Sequence, residues 1–222
     1  MIIDGNSGDG TKEWLSNLNN NKIAWISEPD KGIFDAMNKG LNRASGDYVI
    51  FMNSSDEFEN PNVLDLVSDQ IQKSVQKPMF IYGDSIDSTA SGERHYKKAK
   101  SYKKNHLGLF TSHQAMFFNR SAGIRFRLEY SLTSDYAFVS EYLNMSENVQ
   151  ILELTFPVCD FKLGGTNEIS RYKALIEDYR IRREIIGLSR CFSSILYLLH
   201  FIHTTMKRLV PRFVQSIRYE SE

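Results

Sequence analysis

Along the first 170 residues, short apolar runs alternate with stretches of helical spacing, separated by turns rich in Gly, Asp, Asn and Ser. Ile2-Ile3 runs into Asp4-Gly5-Asn6-Ser7-Gly8-Asp9-Gly10-Thr11, which reads as a strand-to-helix corner. Asp9 or Thr11 then caps a helix through Trp14, Leu15 and Leu18. A second short strand is predicted over 22–26, a polar loop over 27–32, and a helix over 33–44 from the spacing of Ile33, Ala36, Met37, Gly40 and Leu41. Tyr48-Val49-Ile50-Phe51-Met52 reads as a strand buried on both faces. Further along, the pattern predicts a helix over 61–73, a strand over 78–82 ending at Gly83-Asp84, an apolar strand over 114–119 and a helix over 134–143. An extended β-branched run covers 149–161, and Gly164-Gly165-Thr166 is a turn. From Ile169 the pattern is helical, broken at Gly187 and Pro211.

Strands alternating with helices at this spacing predict an α/β domain with a mostly parallel central sheet. Ligands of such sheets sit beyond the carboxyl ends of the strands. Three polar loops, 4–11, 27–32 and 53–56, fall at such ends and would share one rim, rich in Asp, Asn and Ser and poor in Lys and Arg.

Composition narrows the function classes. The chain has 222 residues, 41% hydrophobic and 24% charged, so it can bury a core. Lys+Arg 27 balances Asp+Glu 27, which argues against nucleic acid as a partner. The charge is uneven: residues 171–222 hold ten Lys/Arg against five Asp/Glu, leaving a mildly acidic body. Two cysteines, Cys159 and Cys191, form no disulfide framework and read as buried hydrophobes in a reducing cytoplasm. The first residues lack the pattern of a signal peptide, and the longest apolar candidate, 191–203, falls short of the ~18–20 residues that span a bilayer.

An acidic rim repels phosphate directly but binds it through a divalent cation, because Mg²⁺ and Mn²⁺ take carboxylate and phosphate oxygens together. Asp56, just after a buried strand, suits that role, although one Asp in such a place is commonly only a turn residue or cap. Asp4, at the end of its own strand, suits acceptance of hydrogen bonds from a base or ribose.

In combination these segments carry a resemblance. Ile3-Asp4-Gly5-Asn6-Ser7-Gly8-Asp9-Gly10-Thr11 resembles the second-strand motif of family 2 glycosyltransferases. Ser27-Glu28-Pro29-Asp30-Lys31-Gly32-Ile33-Phe34-Asp35-Ala36-Met37-Asn38-Lys39-Gly40 is similar to the family's next block, and Ala44 through Asp56 to the segment holding its metal motif. Tyr82-Gly83-Asp84, His113-Gln114-Ala115, Ser134-Asp135-Tyr136 and Gly164-Gly165 follow in the family's order. The likeness covers about residues 1–168 and is nearest to bacterial enzymes that build surface polysaccharides. It implies a GT-A fold over 1–168 with a helical, basic amphipathic tail over 169–222. It also implies inverting transfer from a nucleotide-diphosphate sugar to a glycan or lipid-linked acceptor. Carried onto matching positions, Asp4 contacts the nucleoside. Asp30 and Asn38 shape the donor pocket, His113 and Gln114 touch donor or acceptor, Asp56 holds Mg²⁺ or Mn²⁺, and Asp135 is the general base.

Two differences from the family pattern shape further expectations. Asn53-Ser54-Ser55-Asp56 keeps one of the family's clustered aspartates. Family members also begin with another strand, loop and helix before the equivalent of Ile2, so an N-terminally truncated sheet with an exposed edge is expected. A truncated, non-catalytic remnant is therefore the alternative reading. A sugar nucleotidyltransferase is a third, but the Gly-rich basic phosphate loop it needs does not occur here. Asp84 is expected as a strand-end turn residue, the 97–104 basic cluster as a solvated face, and Asp35 and Glu28 either as pocket residues or as local structure. In the tail, Phe192, Ile195, Leu196, Leu199, Ile202 and Met206 fall at helical spacing near Arg190, Lys207, Arg208 and Arg212. This fits either a helix on an anionic inner membrane face or one packed on the core.

Overall fold

A computed structural model describes residues 1–145, 150–163 and 170–209. Gly164-Gly165, Pro211 and Arg212 lie outside the described residues.

Among the described residues, eight strands and six helices follow in chain order: β1 (Ile2–Asp4), α1 (Thr11–Ser16), β2 (Trp25–Ser27), α2 (Ile33–Arg43), β3 (Tyr48–Val49), β4 (Glu57–Phe58), α3 (Val63–Lys73), β5 (Phe80–Ser88), β6 (Arg94–Lys97), β7 (Met116–Asn119), α4 (Ser134–Asn144), β8 (Ile151–Lys162), α5 (Arg171–Glu184) and α6 (Arg190–Leu209). Short 3-10 turns cover Tyr102–Leu107, His113–Ala115 and Arg120–Ala122.

The strands form two sheets. β1 and β2 pair in parallel. The larger sheet runs β3-β7-β5-β8-β4, with β6 also paired to β5. Within it only β5 and β8 are parallel; the β3–β7, β4–β8, β5–β6 and β5–β7 pairs are antiparallel. The sheet is therefore mixed, where the sequence suggests a mostly parallel one. A local apolar run reports that a strand is buried but not the direction of its neighbours. Among the described residues no ladder joins β1–β2 to the larger sheet.

The run at residues 48–52 shows the same limit. Ladder pairing ends at Val49, because β7 is the partner on one side and the described residues supply none on the other. The side chains still alternate between two faces: Phe51 joins one core, while Ile50 and Met52 pack into the other. Burial on both faces survives without continuous hydrogen bonding.

That alternation organises the molecule. Phe80, Tyr82, Met116 and Phe118 point to one face and meet Phe34, Met37 and Leu41 of α2 and Phe138 and Tyr142 of α4. Ile81 and Phe117 point to the other face and meet Val63 and Val67 of α3. The first face is aromatic: Phe126 and Phe138 stack with centroids 4.2 Å apart, and Phe51 meets Phe126 edge-on at 4.9 Å.

Helix α2 follows the sequence expectation to within one residue, because its start is chemically marked. Gly32 takes a φ of 112°, which a side chain disfavours. Asp30 Oδ1 accepts the Gly32 N–H at 2.9 Å, and Asp35 Oδ2 accepts the Lys31 N–H at 3.0 Å. The buried stripe Phe34, Met37, Leu41 then faces the sheet. α2 also touches the small sheet, with a Cβ at Gly40 falling 3.4 Å from Ile3 Cγ1, and so spans both sheets.

Asp84 is corrected by the structure. It lies in the middle of β5, which continues to Ser88. Its carboxylate accepts the Ala99 N–H at 2.7 Å and the Tyr96 hydroxyl, so it fastens the segment after β6. Gly83, which suggests a strand end, is instead required by close packing: a Cβ there would lie 2.9 Å from Val158 Cγ2 and 3.0 Å from Phe156 O on β8. The β5–β8 register shifts at that point.

Candidate functional site

The site begins where β1 and β2 end. Asp4 closes β1 and is 6% exposed. Ser27 at the end of β2 donates its hydroxyl to Asp4 Oδ2 at 2.7 Å. Ser7 donates its hydroxyl to Oδ1 at 2.5 Å and its N–H to Oδ2 at 3.1 Å. These donors, Ser27 first and then Ser7, hold the Asp4 carboxyl below its ordinary range. The two loops also touch one residue further on. A Cβ at Gly5 would fall 2.5 Å from Asp30 Oδ2, so only glycine lets Asp30 sit there while its other oxygen holds Gly32. Asp4 and Asp30 thus share one end of the small sheet.

Asp9 accepts the Thr11 N–H at 3.1 Å and the Thr11 hydroxyl at 2.6 Å, but the N-cap of α1 is Gly10, which makes no side-chain cap, so Asp9 closes the turn before the helix rather than capping it as expected. Asp35 and Glu28 serve α2: Lys39 Nζ lies 3.3 Å from Glu28 and 3.8 Å from Asp35, and Arg43 lies 3.7 Å from Glu28. Asn38 forms a two-point link to the backbone of Phe126, donating to its carbonyl at 2.9 Å and accepting its N–H at 2.9 Å. It pins the chain leading into α4 against α2. This bond is not legible in the sequence, because the partners are 88 residues apart.

A second cluster of candidate residues is built on one turn. His113 and Gln114 are consecutive in the 3-10 turn that leads into β7. Gln114, 1% exposed, donates its amide to Asp56 Oδ2 at 2.7 Å. His113 Nδ1 lies 3.2 Å from Asp135 Oδ2. Neighbouring side chains of a single turn therefore hold Asp56 and Asp135. Asp56 is fixed further by the Asn53 N–H at 3.3 Å. Asp135 sits in the first turn of α4, where a carboxylate is favoured by the helix dipole. Its Oδ1 accepts the Tyr136 N–H at 2.9 Å. His113 Nε2 is buried and has no hydrogen-bond partner among the described residues.

Burial, with Asp56 nearby, pushes the Cys159 thiol up to about 12, so this cysteine is an inert filler. Burial pushes Asp178 of α5 up to about 6; Arg171 and Arg182 oppose that shift, and the charge of Asp135 adds to it. Arg182, fully buried, donates to the carbonyls of His106 at 2.9 Å and Leu107 at 3.3 Å.

The donor set suits a metal in one particular mode. Among the described residues there is no group of three or more His, Cys, Asp and Glu side chains able to hold an ion. Asp56 stands as a single carboxylate with Gln114 steering one of its oxygens. Mg²⁺ is commonly held by one or two carboxylates with waters and substrate phosphates, so Asp56 fits an ion shared with a diphosphate rather than a closed protein cage.

Of the residues singled out in the sequence, the structure joins Asp4 to the Asp30 loop, and joins Asp56, Gln114, His113 and Asp135 through one turn. Asn38 reaches the segment that leads into α4. The sequence reading overlooks α5, whose Glu177 and Asp178 lie beside this segment; their charges resemble those of any solvated helix face.

The family model for glycosyl transferase family 2 matches residues 1–129. The uncharacterized glycosyltransferase Rv1514c of Mycobacterium tuberculosis strain H37Rv is 28% identical over 186 residues, covering 81% of this chain and 69% of that protein. The uncharacterized glycosyltransferase MT1564 of strain CDC 1551 gives the same values. Among solved structures, residues 1–349 of S. aureus TarS in complex with UDP align with a TM-score of 0.59 at 15% identity, over 90% of this chain and 60% of that one. The same fragment with UDP-GlcNAc aligns with a TM-score of 0.57 at 14% identity, over 93% of this chain and 63% of that one. The chain thus spans about three fifths of the TarS fragment it matches.

Proposed function

Because the chain belongs to glycosyl transferase family 2 and has the GT-A fold, we propose that it moves a sugar from a nucleotide-diphosphate donor to a glycan or lipid-linked acceptor, with inversion. The setting we assign is surface-polysaccharide assembly at the inner face of a bacterial cytoplasmic membrane. Residues 1–168 form the catalytic domain in this reading, and 169–222 a helical extension.

The observation that carries the proposal is the pairing of Asp56 and Asp135 with adjacent side chains of one turn. A sugar transfer needs two separate charge tasks side by side: neutralising a departing diphosphate and taking a proton from an incoming alcohol. Asp4 and the loop bearing Asp30 bind the nucleoside end, and Asn38 and Gln114 keep the walls of the donor pocket in place. Asp56 is the residue that would hold Mg²⁺ or Mn²⁺ on the diphosphate. Such an ion, when bound, supplies Lewis-acid stabilisation of the leaving group.

Asp135 takes the acceptor proton. An alcohol is a weak nucleophile, and a carboxylate within hydrogen-bond reach removes its proton as the new bond forms. The acceptor oxygen gives an electron pair to the anomeric carbon, and the bond from that carbon to the diphosphate oxygen breaks on the opposite face. The anomeric configuration inverts, and the proton ends on Asp135. His113 orients the carboxylate by donating Nδ1–H to Oδ2, leaving Oδ1 on the Tyr136 side of the group.

A peripheral membrane contact completes the proposal. Helix α6 leaves Phe192, Ile195, Leu198, Leu199, Ile202, Met206 and Leu209 exposed. Residues 190–209 contain no Asp or Glu, and Arg190, Lys207 and Arg208 lie at the ends. A second copy docked on this face would bring like charges together, whereas anionic lipid complements them. No helix among the described residues is long and apolar enough to cross a membrane.

The test is release of UDP from UDP-GlcNAc in the presence of Mn²⁺, with the product anomer read by NMR. Asp135→Asn lowers turnover by roughly 10²–10⁴-fold and leaves UDP affinity intact. Wild-type turnover in that variant removes Asp135 as the base, and a retained anomer removes the single displacement.

A further inference from the structure

Helix α5 lies beyond the residues matched by the family model, yet its Glu177 makes the densest set of hydrogen bonds near Asp135. Glu177 Oε1 accepts the Ser131 N–H at 3.0 Å and the Ser131 hydroxyl at 3.0 Å. Oε2 accepts the Leu132 N–H at 2.9 Å, the Thr133 N–H at 3.0 Å and the Thr133 hydroxyl at 3.1 Å. Three consecutive backbone N–H groups and two hydroxyls converge on one carboxylate. They end at the residue before α4, in which Asp135 is the second residue.

The choice of Thr133 sharpens the reading. Threonine is a good N-cap because its hydroxyl can accept a hydrogen bond from the first turn of its own helix. Here Thr133 makes no such cap, and its hydroxyl points to Glu177. The start of α4 is thus held by a residue 44 positions away rather than by its own sequence. The same helix grips the segment again through Glu184, which accepts the Tyr130 hydroxyl at 2.8 Å. Ser134 closes the loop by donating to the Arg127 carbonyl at 2.8 Å.

We propose that Glu177 is the positioning residue of the active site, fixing the backbone of residues 131–133 so that Asp135 meets the acceptor hydroxyl in a single orientation. The proposal rests on the reading of Asp135 as the base. The Asp135 carboxylate is steered from one side by His113 and its main chain is held from the other by Glu177. A base needs this because rate falls steeply with misplacement, about 10²-fold for 1 Å. The nucleoside pocket at Asp4 and Asp30 is built from other elements, so loss of Glu177 leaves donor binding in place.

The experiment uses the full chain and the variants Glu177→Ala and Glu177→Gln. Amide hydrogen exchange of residues 131–133 is measured alongside UDP affinity with Mn²⁺ and the kinetics of UDP release from UDP-GlcNAc. In Glu177→Ala the three amides lose protection, kcat falls roughly 10- to 100-fold, and the donor KM stays within about twofold. Glu177→Gln keeps one acceptor oxygen and falls between the two, and it carries the test if the alanine variant loses UDP binding through misfolding. Unchanged protection, or a raised KM at unchanged kcat, overturns the proposal. Failure of the base assignment shows separately, as wild-type turnover in Asp135→Asn, and the exchange result still judges Glu177.

Discussion

Replacing Asp178 with Asn makes the pH dependence of stability an internal check on the packing of α5 against the site. Burial raises the Asp178 carboxyl from 3.8 to about 6. A group whose folded value is raised contributes stability below its unfolded value and loses it as pH rises through the folded one. The shift corresponds to about 3 kcal/mol lost between pH 4 and 6. His200 of α6 has the opposite sign. Burial, reinforced by Arg182, lowers it from 6.5 to about 4, so its stability is present above pH 6.5 and lost as pH falls toward 4. Solvent reaches part of this imidazole and screens it, so its contribution is smaller than that of Asp178. Across pH 4–6 these two slopes oppose each other.

Asp178→Asn removes one slope and exposes the other. Urea unfolding at half-unit pH steps reads both. The variant gains stability as pH rises from 4 to 6.5, and at pH 7 it exceeds wild type by up to about 3 kcal/mol. A variant less stable than wild type at pH 7 refutes the reasoning.

Other perturbations probe other joints. Asn38→Ala strips both partners from the Phe126 backbone and costs roughly 2–4 kcal/mol by chemical denaturation, whereas a loss under 0.5 kcal/mol shows that the link is idle. Gly5→Ala forces Asp30 away from its seat and weakens UDP binding by about tenfold or more in calorimetry; unaltered affinity places the nucleoside elsewhere. Deleting residues 188–222 reduces co-sedimentation with anionic lipid vesicles, and raising salt weakens the binding of the intact chain. Equal sedimentation of both chains assigns the α6 face to protein packing.

Much of the fold is legible where local chemistry marks it. The stripe Phe34, Met37, Leu41 behind a glycine with positive φ defines α2 almost to the residue. What escapes a local reading is non-local pairing. Nothing in Met116-Phe117-Phe118 says that β7 runs antiparallel to β5, and Gly83 suggests an end where it marks the close approach of β8. The site divides in the same way. Asp4, Asp56 and Asp135 stand out because each carboxylate sits beside a strand end or helix start in a recognisable block. The supports do not stand out: Asn38 on Phe126 and Glu177 on residues 131–133 join positions 88 and about 45 residues apart. A glutamate inside Arg171–Glu184 looks like one more charge on a polar helix until its partners are known.

Calorimetric titration of UDP with and without Mn²⁺, into wild type, Asp56→Ala and Asp135→Asn, probes the division of labour between the two carboxylates. The account predicts a Mn²⁺-dependent gain in affinity in wild type and Asp135→Asn, and none in Asp56→Ala. A gain that persists undiminished in Asp56→Ala contradicts it.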